Sequence, residues 1–251
     1  MKEATIEDGW FRLAEDEVAA TLKKPEYYIE KGCEVVRYNN RVVYRLEENN
    51  GTVLYAKWLF PQNDCFRKRF VKWVKRLFRG PRVKRIYEIH SDLLASGFGC
   101  PEPVFSAWRA DALTEVFVSK ELPVPSVHTL LRENQHSRTL KILKIVAADL
   151  RRLHQAGFVH GDAIPGNICV DEDMYKVYYL DNDRTRHCKS HHQAMRNLVQ
   201  FCSHLPFYCS LPEASKLFLE AYGVSASEGN ELLATIQCRI QKIISERKKD
   251  K

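Results

Sequence analysis

The chain has 251 residues, 45% hydrophobic and 28% charged, an ordinary balance for a folded protein with a sizeable core, and its length suits one large domain or two small lobes. It holds no run of 18 apolar residues to span a bilayer, and "MKEATIEDGWFRLAEDEV" lacks the basic start and apolar stretch of a secretory leader. The formal net charge of +7 points to anionic partners, nucleic acid, nucleotide or membrane surface, without choosing among them.

In chain order, "CEVVRYNNRVVYRLEENNGTVLYAKWLF" alternates β-branched and polar residues and is punctuated by Asn39-Asn40 and Asn49-Asn50-Gly51. It predicts an antiparallel meander of three strands, near 32–38, 41–47 and 52–59. "FRKRFVKWVKRLFRGPRVKR", Phe66 to Arg85, carries ten Lys or Arg and no acid, with Phe66, Phe70, Trp73, Val74 and Leu77 on one helical face. After Gly80-Pro81 a second helix, "VKRIYEIHSDLLASGFG", sets Ile86, Ile89, Leu93 and Leu94 on one side. "VFSAWRA" and "LTEVFVSKEL" predict two more strands, giving a five-stranded sheet with helices inserted after its third strand. The second half reads as mostly helical. Arg138 to Ala156 aligns Leu143, Val146, Ala147, Leu150 and Leu153 and stops at Gly157. Short apolar strands at 168–170 and 177–180 flank the turn "DEDM", three helices follow near 192–203, 212–222 and 227–247, and the tail "ERKKDK" is expected to be solvated.

Phosphoryl transfer from ATP needs a cation on the phosphates, oxygen ligands for Mg²⁺ and a carboxylate to orient the acceptor hydroxyl and take its proton. The sequence supplies these in order. Lys57 stands in "VLYAKWL" at the end of the third strand, and Glu88 on the following helix is placed to hold its ammonium. "HGDAIPGN" offers Asp162 and Asn167, and Asp181 follows a short apolar strand in "YYLDND". Asn167 has a carbonyl oxygen that ligates Mg²⁺ without adding charge, Asp181 is the metal carboxylate, and Asp162 is left to face the acceptor. H-x-D-x-x-x-x-N alone is a weak signal; four elements in order, each in its context, are a strong one.

This set resembles the protein-kinase-like superfamily. The resemblance implies a two-lobed α+β fold, with a sheet-bearing N-terminal lobe over 1–119 and a helical C-terminal lobe over 120–251. It implies ATP with its adenine near Ser119, Lys120, Glu121 and Leu122, and Mg²⁺ on Asn167 and Asp181. The departures are equally specific. No G-x-G-x-x-G is present, only Gly32 near the first strand, so the phosphate-covering turn must be built otherwise, near Arg37 to Arg41. Gly161 stands where protein kinases have an Arg that commonly answers an activation-loop phosphate, no A-P-E follows Asp181, and Asp183 replaces the Gly of D-F-G. "AKWLFPQ" with the basic segment, "LLASGFGCPEPVF", "LRRLHQAGFVHGDAIPGNICV" and "YLDND" resemble the bacterial heptose kinases of the lipopolysaccharide inner core. That implies a heptose hydroxyl on core oligosaccharide as acceptor, and a cytoplasmic protein peripheral at the inner membrane; no nucleic acid is expected. The basic stretch from Arg67 to Arg85 has two compatible readings. It lies on an anionic membrane surface, or it packs its apolar side on the N-terminal lobe with its charges solvated. Three rival functions are a small atypical protein kinase, a phosphotransferase for a soluble sugar or antibiotic, and a nucleotide-binding pseudokinase scaffold.

Remaining features have blander readings. The eight cysteines form no C-x-x-C pair and are expected to be buried, reduced thiols. "RHCKSHH", Arg186 to His192, fits no zinc spacing. His160 is expected to buttress the catalytic loop, the four tryptophans to pack, and Asn197, in the Arg-Asn-Leu run where small kinases often have Arg-Asp-Leu, to accept a hydrogen bond in support of that loop.

Overall fold

The computed structural model describes residues 2–5, 10–14, 24–38, 41–60, 80–109, 113–133, 136–211 and 213–249. The basic helix expected over 66–79, the turn Asn39-Asn40, Cys65 and Trp73 lie outside the described residues. The chain forms two compact units, Met1–Ala95 with Pro101–Leu122, and Ser96–Cys100 with Pro123–Lys251.

In the first unit the described strands are β1 (Lys2–Thr5), β2 (Trp10–Ala14), β3 (Cys33–Tyr38), β4 (Arg41–Glu47), β5 (Val53–Leu59), β6 (Pro103–Arg109) and β7 (Glu115–Lys120). They make one antiparallel sheet in the order β1-β2-β6-β7-β5-β4-β3. Five of these strands lie where the alternation places them. The expectation of a five-stranded sheet is corrected by β1 and β2, which add to the β6 edge, Trp10 opposite Arg109 and Ala14 opposite Phe105.

Both faces of the sheet carry apolar residues, as the period of two requires when each face is covered. Trp10, Leu54, Ala56, Trp58, Phe105, Val116 and Val118 form one core with Tyr28 of helix α1 (Pro25–Glu30). Trp10 and Trp58 meet edge to face at 5.8 Å. Leu59, Trp108 and Phe117 face the other way, against Val83, Ile86 and Tyr87 of helix α2 (Arg82–Ala95). The Glu115 carboxylate accepts from the Val83 N–H at 3.0 Å, placing negative charge at the start of α2. Leu94, expected on the apolar side of this helix, is exposed. Gly32 permits close packing: a Cβ there would lie 2.3 Å from the Tyr28 carbonyl oxygen and 2.9 Å from Tyr44 Cβ.

The second unit holds α3 (Val127–Arg132), α4 (His136–Gln155), β8 (Phe158–Val159), β9 (Ile168–Asp171), β10 (Lys176–Tyr179), β11 (Arg186–His187), α5 (His191–Cys202), α6 (Ala214–Tyr222) and α7 (Ala226–Lys249). The predicted face of α4 is buried throughout. Gly157 ends that helix with φ +85°, the left-handed position at which glycine costs least. The segment after α2 joins this unit, since the Tyr179 N–H donates to the Gly99 carbonyl at 2.9 Å. A Cβ on Gly99 would stand 2.4 Å from the Val177 oxygen. Cys100, Cys169, Cys202 and Cys209 are buried thiols outside any disulfide, and burial pushes Cys100 and Cys169 up to about 12, which leaves them unreactive. The expectation that all the thiols are buried is corrected at Cys33 and Cys238, which are exposed.

Candidate active site

The loop from His160 to Asn167 connects two small ladders. One pairs β8 with β11, Val159 opposite Arg186, and the other pairs β9 with β10, Ile168 opposite Tyr179. Between them the chain turns sharply. Gly161 has φ +64°, and a Cβ there would meet the Arg184 carbonyl oxygen at 2.4 Å and its Cβ at 2.8 Å. The missing Arg of protein kinases therefore has a local cause: this position demands both a left-handed backbone and no side chain.

His160 fixes the loop from within. It is only 1% exposed. Its Nε2 donates to the Leu180 carbonyl at 2.8 Å, and its Nδ1 accepts from the Asp162 N–H at 3.3 Å, which selects the Nε2–H tautomer. Burial lowers its pKa; the Leu180 carbonyl, Asp162 and Asp181 pull upward and lose, so the ring stays neutral. Leu180 is held at both ends, because its N–H donates to the Asn167 carbonyl at 2.8 Å. Through Leu180, Asp181 is fastened beside the loop that carries Asp162 and Asn167.

Asp162 and Asn167 touch directly. The Asn167 Nδ2 donates to the Asp162 backbone oxygen at 3.1 Å and to its Oδ2 at 3.3 Å. An ionised carboxylate only accepts, so this bond fixes which end of the Asn167 amide faces it and leaves Oδ1 as the remaining ligand atom. Asp181 adopts φ 50° and ψ 51° at the start of a 3-10 turn, Asn182–Arg184. For a residue with a Cβ that conformation costs about 1–2 kcal/mol, a strain Asp tolerates better than most. Buried Asn182 secures the turn by donating to the Tyr179 carbonyl at 2.7 Å and accepting from the Thr185 hydroxyl at 2.9 Å.

Support comes from α5. Asn197, 3% exposed, accepts at Oδ1 from the His160 N–H at 3.1 Å and from His154 Nε2 at 3.0 Å. His154 in turn accepts at Nδ1 from the Tyr222 hydroxyl at 2.8 Å. Burial presses His154 down to about 4, so it is neutral. One turn along the helix, Gln200 Nε2 donates to Asp162 Oδ1 at 2.6 Å. Sequence reasoning identified Asn197 and missed Gln200. The available signal was its spacing of three from Asn197, which puts both residues on one helical face.

Lys57, Glu88 and the Ser119–Leu122 strip belong to the first unit. Lys57 lies opposite Phe117, on the sheet face that α2 covers, and Glu88 sits on α2; both are half-buried. In the strip, Ser119 is buried at the end of β7. Lys120 pairs with Glu102 at 2.7 Å, and Glu121 accepts from the Tyr55 hydroxyl at 3.1 Å with Arg45 at 3.7 Å. The amides of Lys120 and Glu121 donate to Glu102 and Val53 carbonyls, whereas the Leu122 amide meets no acceptor among the described residues. Near the expected phosphate-covering turn, Arg37 pairs with Glu34, and Arg41 stacks over Tyr38 at 4.5 Å. In "RHCKSHH", His187 packs on Phe158 at 4.5 Å and His191 meets Glu228 at 2.6 Å, so the two histidines have separate partners.

The sequence profile of the lipopolysaccharide kinase (Kdo/WaaP) family matches residues 66–214. The chain belongs to this family. Those residues include α2, the Ser119–Leu122 strip, the Asp162 loop, the Asp181 turn and α5. As a member of the lipopolysaccharide kinase family, the chain is by family an ATP-dependent phosphotransferase. No curated protein matches the chain. Among solved structures, amicoumacin kinase hAmiN in complex with AMP-PNP, Ca²⁺ and Ami aligns with TM-score 0.51 and 11% identity over 91% of this chain and 80% of that one. This likeness shows a protein-kinase-like fold. Monomeric WbdD gives TM-score 0.49 and 18% identity, covering 79% of this chain and 44% of its own. An Stt7 homolog from Micromonas algae soaked with ATP gives 0.43 and 14%, covering 62% and 49%. The chain thus spans about half the length of these last two proteins.

Proposed function

We propose that this chain transfers the γ-phosphoryl group of ATP to a sugar hydroxyl, a heptose of the lipopolysaccharide inner core. The observation that best supports the phosphoryl transfer is the bond from Asn167 Nδ2 to Asp162 Oδ2, and the acceptor is drawn from the family match. That bond separates two roles on one loop, a carboxylate for the acceptor and an amide oxygen for a metal. In the proposed reaction the acceptor O–H proton passes to Asp162. The acceptor oxygen bonds to the γ-phosphorus as the bridging P–O bond breaks, and ADP leaves with that electron pair. Lys57, oriented by Glu88, holds the phosphates, and the Ser119–Leu122 strip receives the adenine, with the Leu122 amide as donor.

Asn167 Oδ1 and the Asp181 carboxylate are hard oxygen donors, few in number, which suits Mg²⁺ that keeps phosphate and water as its other ligands. Asn167 and Asp181 would hold the ion, which when bound would supply neutralisation of the phosphate charge. Basic residues from Arg67 to Arg85 are proposed to meet the anionic surface that carries the acceptor, placing the protein at the cytoplasmic face of the inner membrane.

The test supplies labelled ATP, Mg²⁺ and lipid A–core oligosaccharide lacking heptose phosphate to the full chain. Label is expected in the oligosaccharide, to cease on chelation of Mg²⁺, and to fall by roughly 10²–10⁴-fold in Asp162→Asn. Label in protein or in a soluble sugar, with none in the oligosaccharide, overturns the acceptor; unchanged transfer by Asp162→Asn overturns the base.

A further inference from the structure

Helix α5 reaches the catalytic loop at two points. Asn197 takes the backbone N–H of His160, and Gln200 takes the carboxylate two residues further on. We propose that Gln200 is a positioning residue for Asp162, fixing the rotation of its carboxylate with a neutral donor so that the charge stays available to the acceptor proton. This rests on the reading of Asp162 as the base.

The carboxylate is held at both oxygens. Oδ1 accepts from Gln200 at 2.6 Å and Oδ2 from Asn167 at 3.3 Å. Each oxygen has two lone pairs, so both bonds leave capacity for an acceptor hydroxyl. The Gln200 bond is the shorter, and it comes from a regular helix rather than from the loop itself. Its amide orientation is dictated by chemistry, since a carbonyl oxygen turned toward an ionised Asp162 would repel it. The donor is also uncharged. A Lys or Arg in its place would pair with Asp162 as an ion and compete with the acceptor, whereas an amide orients without neutralising.

The end of α5 that carries Gln200 is itself tied down. The Gln200 carbonyl accepts from the Ser203 hydroxyl at 3.0 Å and from His204 Nδ1 at 2.8 Å. Asn197 and Gln200, three apart, then work as two fixed points on one face, one setting the loop backbone and the other the carboxylate. Small misplacements of a reacting group cost large factors in rate, so a side chain that only orients is expected to act on kcat.

The experiment measures kcat, KM for ATP and melting temperature for Gln200→Leu, Gln200→Glu and Asp162→Asn in the full chain, with lipid A–core oligosaccharide lacking heptose phosphate as acceptor. Gln200→Glu keeps the shape, removes the donor and sets a second negative charge against Asp162; Gln200→Leu removes the polarity without adding charge. Both are expected to lower kcat roughly 10- to 100-fold, the worth of a hydrogen bond to a charged group, at unchanged KM for ATP; Gln200→Leu is expected to keep the melting temperature, and Gln200→Glu to lower it through repulsion between the two carboxylates. Gln200→Glu with the kcat of the unmodified chain overturns the inference, because packing alone then accounts for the residue. If Gln200→Leu does not fold, Gln200→Glu decides. Asp162→Asn at full activity defeats the base assignment and this inference with it. Inactive Asp162→Asn beside fully active Gln200→Glu defeats this inference alone. Should the unmodified chain leave this acceptor unlabelled, the acceptor reading fails, and the same variants are scored on ATP hydrolysis with water as the acceptor.

Discussion

Replacing Gly161 with Ala tests the geometry of the catalytic loop directly. The added methyl meets two separate penalties. The backbone sits at φ +64°, where a residue with a Cβ pays about 1–2 kcal/mol. The Cβ also falls 2.4 Å from the Arg184 carbonyl oxygen and 2.9 Å from its carbonyl carbon, and backbone atoms must move to admit it, an overpacking cost of about 1–3 kcal/mol. Together they give about 2–5 kcal/mol, and a central value of about 3 lowers the melting temperature by roughly 6–12 °C for a chain of this size. Gly166, five residues on, is the control. Its φ is not left-handed and a Cβ there meets nothing within 4 Å, so Gly166→Ala is expected to melt with the unmodified chain. Thermal melts followed by circular dichroism compare the three proteins. If Gly161→Ala melts within about 2 °C of the unmodified chain, the close approach of Arg184 to Gly161 is wrong, and with it the steric account of the missing Arg.

Two further predictions concern the support beneath the loop. Asn197→Ala leaves the His160 N–H and His154 Nε2 without their shared acceptor in a buried place, a loss of about 2–5 kcal/mol by urea denaturation; Asn197→Asp retains the oxygen and is expected to lose less. His154 carries a folded-state pKa of about 4 against 6.5 unfolded, so the unfolded chain binds the proton first and stability falls as pH drops. The contribution is fully present above 6.5 and is lost between there and about 4, by up to about 3 kcal/mol. The urea midpoint followed across this window is expected to decline less steeply in His154→Gln, and equal slopes would refute the assignment.

How much of this was readable in the chain depends on the distance over which each residue acts. The meander, the buried face of α4 and the residues of the His160–Asn167 loop are local in sequence, and periodicity or motif order reveals them. Strands β1 and β2 escaped notice because "WFRLA" is a five-residue run whose partner, β6, lies in another part of the chain. Leu94 fits the apolar period of α2, yet the buried face runs through Val83, Ile86, Tyr87, His90 and Leu93, and Leu94 beside it is exposed. Gln200 reads as an ordinary polar helix residue until the fold sets α5 against the loop. Gly161 was legible as turn chemistry, but its second cause, the backbone of Arg184, exists only once the Asp181 turn folds back beside it.

The strand order has a consequence in time. β2 can pair at once with β1, but its ladder with β6 and that of β5 with β7 must wait, so the sheet that carries Lys57 is complete only with residues as late as Lys120. At translation rates of about 5–20 residues per second, the interval from β2 to β7 is roughly 5–20 s. Through that interval Trp10 and Leu13, buried in the finished sheet, lack the β6 strand that flanks them on one side. Folding of the first unit is therefore paced by its non-local pairings and exposed to misassembly while they are pending.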